Sequence, residues 1–205
     1  MRRAHSGKTA GYGKNHSDRA EKNVPEWKRT FRSGKNDSGR CAGEKRGCRF
    51  VMETQGEISQ GAIFGCPAAW EKWLPPGTQR CDTARELCAQ TWEIVSLTDH
   101  GCAKLRRLRE INGEIICRIL LVPGDCHLEA LERVHMDQAV SYGLSARDSL
   151  TLSSLREPVL CIQRALPRPD GGIVEPQEIP LFHLPASAER LLPLLGLWLL
   201  TPRPD

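Results

Sequence analysis

A long apolar run is missing from this chain. The most hydrophobic stretch, Leu191 to Leu200, covers ten residues and is broken by Pro193 and Gly196, far short of the roughly 20 that a membrane-spanning helix requires. Cysteines at metal-ligand spacing are missing as well. Nine are present, an odd number, and no two stand as CxxC, which argues against a closed disulfide set and against a zinc ribbon or finger. Reduced thiols are expected, with no metal and no cofactor. The chain also lacks GxSxG, HExxH, a P-loop and GxGxxG, which removes the commonest hydrolase, metalloprotease and nucleotide-binding readings. No apolar segment follows Arg2, Arg3, His5 and Lys8, so no secretory leader is legible and the cytoplasm is the expected location.

What is present is unevenly distributed. Residues 1 to 50 hold 14 Lys and Arg against 5 Asp and Glu, whereas the whole chain carries 29 against 25. A basic segment is therefore joined to a mildly acidic body. The leading residues are rich in Gly, Ser, Asn, Lys and Arg and show neither strand nor helix periodicity, so ordering them would cost entropy without burying apolar surface. The expected organisation is a disordered basic arm over 1–55 and a single domain over 56–205. Met52 sits where globular composition begins, and the arm could lie outside the natural protein.

Within the body, Trp70, Trp73 and Leu74 lie at helical spacing ahead of the breaker Pro75-Pro76-Gly77. Thr83 and Glu86 form a capping box, with Ala84, Leu87, Cys88 and Trp92 on one stripe behind it. Asn112-Gly113 between Leu105–Glu110 and Glu114–Val122 predicts a hairpin, its second strand apolar enough to be buried on both faces. Asp125 is placed to cap a helix reaching Tyr142, ended by Gly143. A second hairpin joins Val159–Leu166 to Ile173–Phe182, and Pro176 and Pro180 put its return strand at a sheet edge. Ala186 to Leu200 predicts a helix interrupted at Pro193. Together these elements predict an α+β fold, a small antiparallel sheet of two hairpins, four or five strands in all, covered by short helices.

Several residues could carry chemistry. Arg118 would sit in the middle of a buried strand, where a guanidinium must be neutralised or reach water. It could hold a carboxylate or phosphate, or form a structural ion pair. Glu178 would stand on the edge strand as a possible acid. Cys126 beside His127 suggests a thiolate and base, but no third orienting group is evident. In the arm, Arg2, Arg3, Lys8, Lys28, Arg29, Arg32, Lys45 and Arg46 are interleaved with Tyr12, Trp27 and Phe31. That composition can neutralise phosphates and stack on unpaired bases.

Two stretches carry a family resemblance. Gly113-Glu114-Ile115-Ile116-Cys117-Arg118, running on to Pro123, is one. Glu157 to Arg164, followed across a glycine turn by Glu178-Ile179-Pro180-Leu181-Phe182, is the other. Residues 103–183 thus resemble the chorismate lyase fold, shared with the small-molecule-sensing UTRA domains of bacterial regulators. The resemblance implies that Arg118 holds a substrate carboxylate and that Glu178 is its acidic partner.

Two functions are then expected. One is a non-catalytic binding or regulatory protein whose arm contacts nucleic acid or an acidic partner while Leu191–Leu200 contacts protein. The alternative is a small-molecule-binding or lyase domain built around Arg118 and Glu178.

Overall fold

The computed structural model describes residues 59–107 and 113–202. Strands β1 (Ser59–Phe64), β2 (Thr78–Cys81), β3 (Thr91–Leu97), β4 (Ile115–Pro123), β5 (Val134–Tyr142), β6 (Leu150–Leu152), β7 (Val159–Ile162) and β10 (Gln177–Pro180) form one eight-stranded sheet. Its order is β10-β7-β6-β5-β4-β3-β1-β2. The six strands from β2 to β6 are parallel, whereas β7 and β10 are antiparallel to their neighbours. Two short strands, β8 (Leu166–Pro167) and β9 (Ile173–Val174), pair separately. The helices are α1 (Ala84–Leu87), α2 (Asp99–Arg107) and α3 (Ala188–Leu200), with 3₁₀ turns at Ala68–Trp73 and Leu128–Leu131.

The expected small antiparallel sheet is therefore replaced by a large, mostly parallel one. The Asn112-Gly113 hairpin does not form, because Asp99–Arg107 is helical and β4 pairs in parallel with both β3 and β5. In α2, Cys102 and Leu105 stand three residues apart and are buried, and Lys104, Arg106 and Arg107 fill its last turn. That basic last turn suits the negative end of the helix dipole. The helix expected from Asp125 to Tyr142 reduces to one 3₁₀ turn followed by β5. Val134, Val140 and Tyr142 are the buried positions of β5 and share one parity, and pairing with β4 along nine residues outweighs local helix preference.

Other local expectations hold. Thr83 caps α1, accepting from the Glu86 amide at 3.3 Å, while the Asp82 amide donates to the Glu86 carboxylate at 2.8 Å. Strand β4 is buried on both sides of the sheet, except at Ile116, which is half-buried, and Arg118, which is exposed. β10 is the outermost strand, as Pro176 and Pro180 require, and it pairs with β7 through Glu178 opposite Cys161. The loop pairing places Leu166 opposite Val174 and Pro167 opposite Ile173.

The crossovers explain how the core divides. The chain moves from β1 to β2 in one direction, and through β3, β4 and β5 in the other. Crossovers of a single hand must then use opposite faces. Trp70 of the turn after β1 packs in one core cluster with α3, whereas Ala84, Leu87, Cys102, Leu105 and Ala130 of the later connections pack in the other. Helix α3 lies across β3, β4, β5 and β6. It runs unbroken through Pro193, and all its residues from Leu191 to Leu197 are buried. Leu191–Leu200, expected as a contact for partners, is thus core that covers the sheet.

Candidate ligand site at the carboxyl edge of the sheet

In an open parallel sheet every loop that follows a strand emerges at the same edge, and a crevice opens where neighbouring strands send their connections in opposite directions. Here that switch lies between β1 and β3. Thr98 closes it from the β3 side. Its hydroxyl donates to the Phe64 carbonyl at 3.1 Å and accepts from the Gly101 amide at 3.0 Å, so one side chain caps α2 and ties it to the end of β1. Gly65, at φ +82°, and Gly101 stand so close that a Cβ on Gly65 would lie 2.3 Å from the Gly101 nitrogen. Only glycine fits the approach.

Asp99 follows immediately, in the first turn of α2. It contributes to the walls of three cavities along this edge. One, of about 500 Å³, lies over the switch between Gly65, Cys66, Thr98, Lys104 and Arg190. A second, of about 580 Å³, is bounded by Asp99, Asp125, Tyr142, Ser145, Arg147, Asp148 and Glu189. The third, of about 280 Å³, lies between Asp99, Cys102, Asp125, Cys126 and His127. A further volume of about 600 Å³ lies at the opposite end of the strands, near Arg107 and Gly113, away from the switch.

The second cavity carries four carboxylates against one guanidinium. Asp148 is 5% exposed. Its carboxylate lies against two backbones: a Cβ on Gly124 would fall 1.8 Å from Oδ1, and one on Gly143 would fall 2.5 Å from Oδ2. The Ser145 amide donates to Oδ2 at 3.1 Å. Glycines at the exits of β4 and β5 thus make room for an acid, and neither serves the helix termination expected of Gly143. Tyr142 forms the floor, its hydroxyl donating to the Leu97 carbonyl across β4 at 2.9 Å. Burial, then the Asp99 charge, pushes its ionisation far up, so it stays a neutral donor. Burial, followed by the charges of Asp125 and Glu189, raises the Asp99 carboxyl above the ordinary aspartate range.

The residues singled out from sequence lie elsewhere. Arg118 is half exposed and pairs with Glu93 on the adjacent β3 at 2.9 Å, also donating to the Pro169 carbonyl at 2.9 Å. Glu178 is exposed on β10, with β7, β6 and β5 between it and β4; the structure does not bring the two together. The Cys126 thiol donates to the His127 carbonyl at 3.7 Å. Arg2, Arg3, Lys8, Lys28, Arg29, Arg32, Lys45 and Arg46 fall outside the described residues. No helix among the described residues is long and apolar enough to cross a membrane, and none of their His, Cys, Asp and Glu side chains group as a metal site.

Sequence reasoning missed Asp99, Asp125 and Asp148. A signal existed: each follows within a few residues of an apolar strand, after Thr98, Gly124 and Gly143 respectively. It becomes readable only once the strands are known to be parallel. Comparisons of the chain with protein-family models, curated proteins and solved structures found no match.

Proposed function

We propose that the body of this protein binds a small polar molecule at the carboxyl edge of its parallel sheet, with Asp99 as the central contact. The observation that carries this reading is the position of Asp99 at the sheet's switch point, shared by three adjoining cavities. In the second cavity Asp99, Asp125, Asp148 and Glu189 outnumber Arg147, so a ligand held there presents hydrogen-bond donors or positive charge, as an amine or a polyol does. The expected test is a thermal-shift screen of amines, polyols and matched anions on the full chain. Amines or polyols should raise Tm, and Asp99→Asn should abolish the rise while the unliganded protein stays folded. Stabilisation by anions alone, or a response untouched by Asp99→Asn, would remove the proposal.

The basic segment supports a second reading. Its 14 cations among 50 residues suit non-specific contact with nucleic-acid phosphates, through Arg2, Arg3, Lys8, Lys28, Arg29, Arg32, Lys45 and Arg46, or with an acidic protein. Binding of that kind weakens steeply with salt because counterions are released. Single-stranded DNA should therefore bind the full chain at 50 mM salt and lose about tenfold or more in affinity at 200 mM. A chain beginning at Met52 should not bind, and unchanged affinity in that chain would exclude the reading.

A further inference from the structure

We infer that the ligand of this edge is a zwitterion, a free α-amino acid with an apolar side chain, whose ammonium meets Asp99 and Glu189 and whose carboxylate meets Lys104 and Arg190. The inference rests on the reading of the edge as a small-molecule site, and it names what that site selects. The volume concerned is the cavity of about 500 Å³ over the switch, well within the roughly 300–1,000 Å³ of small-molecule sites. Helix α2 contributes His100 and Lys104, four residues apart and so on one face. The Lys104 ammonium lies 5.8 Å from the centre of the Phe64 ring, over the last residue of β1. Helix α3 brings Glu189 and Arg190 from its start, and the loop after β1 supplies Cys66, Pro67 and Trp70.

Charges of both signs border this volume without neutralising one another. Asp99 and Glu189 stand against Lys104 and Arg190, yet among the described residues none of the four takes part in an ion pair. All are exposed or half-buried, and holding two long side chains together at a wet surface gains little. A molecule that carries an ammonium and a carboxylate on one carbon is ordered in advance, so it meets both signs at a lower cost in entropy. Burial, then the charges of Asp125 and Glu189, already disfavour the Asp99 carboxylate, and an ammonium placed between the acids relieves that repulsion.

The remaining wall fixes the character of the side chain. Cys66 and Trp70 are buried and belong to the core cluster that holds α3, so the apolar surface they turn to the cavity is rigid, and Pro67 and Pro193 extend it. An apolar side chain removes that surface from water. Other ligands satisfy less of the site. A simple amine leaves Lys104 and Arg190 unmet, a simple carboxylate leaves Asp99 and Glu189 facing it, and a polyol answers neither charge. Phosphates are disfavoured by the two acids and by the short loop after β1. That loop, Gly65-Cys66-Pro67, has one glycine and a proline without an amide, and so lacks the row of amides that cradles a phosphate.

The test screens the common amino acids by thermal shift on the full chain, then titrates the best of them by calorimetry beside its decarboxylated amine and its deaminated acid. For phenylalanine these relatives are phenethylamine and phenylpropionate. An apolar amino acid should give the largest shift and bind about tenfold or more tighter than either relative, since each lacks one charge-assisted contact. Lys104→Gln with Arg190→Gln should bring the amino acid down to the affinity of the amine, and Lys104→Arg should keep the preference. If the amine binds as tightly as the amino acid in the wild-type chain, the zwitterion is overturned while the small-molecule site stands. If the acid alone binds, both readings fall. If no amino acid shifts Tm, the inference is overturned, and the amine and polyol screen still decides the site separately. The wild-type series is sufficient if a variant does not fold.

Discussion

Thr98 concentrates several requirements in one side chain. It stands at the last turn before α2, is 8% exposed, and its hydroxyl is both donor and acceptor between β1 and the helix. Thr98→Ala removes the cap and leaves the Phe64 carbonyl one bond poorer. The expected loss is about 1–2 kcal/mol, measured by urea unfolding, and Thr98→Ser should recover most of it because the hydroxyl remains. A loss equal in both variants would mean that the methyl group, and not the hydroxyl, does the work. Asp99 beside it titrates in the opposite sense to a paired carboxylate. Its folded pKa is raised, so between the ordinary aspartate value and the raised one the folded state holds a proton that the unfolded chain has released. Its contribution to stability is full below the ordinary aspartate range and is lost as pH rises through the raised value. Asp99→Asn should therefore melt higher than wild type near neutrality and equal to it in acid.

The C-terminal helix shows how an element is held by packing against its own local chemistry. Pro193 lacks the amide that would bond the Glu189 carbonyl four residues earlier. The helix continues because its apolar side chains fill the sheet face and because the Ser96 hydroxyl donates to the Pro193 carbonyl at 3.1 Å from inside that contact. Gly196 sets the distance of approach. A Cβ there would lie 2.5 Å from Leu121 Cδ2 and 2.8 Å from Leu150 Cδ1, and both leucines are fully buried. Alanine gains about 1 kcal/mol in helix propensity, yet overpacking of this kind costs about 1–3 kcal/mol. Gly196→Ala should thus destabilise by about 1 kcal/mol in denaturant titration. A more stable variant would show that α3 can lift off the sheet without penalty.

At the scale of the whole molecule, β1 is an inner strand, flanked by β2 and β3. The chain that begins at Met52 keeps all of it and should melt as the full chain does, whereas one beginning at residue 67 loses a central strand and should not fold. The amino-acid sequence by itself determined what depends on neighbours along the chain. The Thr83–Glu86 cap, the buried apolar strand at Ile115–Pro123, the proline-marked edge and the C-terminal helix were all legible, because capping, burial and the missing proline amide act over a few residues. Direction of pairing was not. A continuous apolar strand is the mark of a parallel sheet, but Asn112-Gly113 in front of it is equally a hairpin signal, and only the helical state of Asp99–Arg107 separates them. Residues 134–142 likewise carry a weak local preference that contact with β4 decides. The site followed the same rule: Asp99, Asp125 and Asp148 lie far apart in sequence, and they share one edge solely because three parallel strands deliver them there.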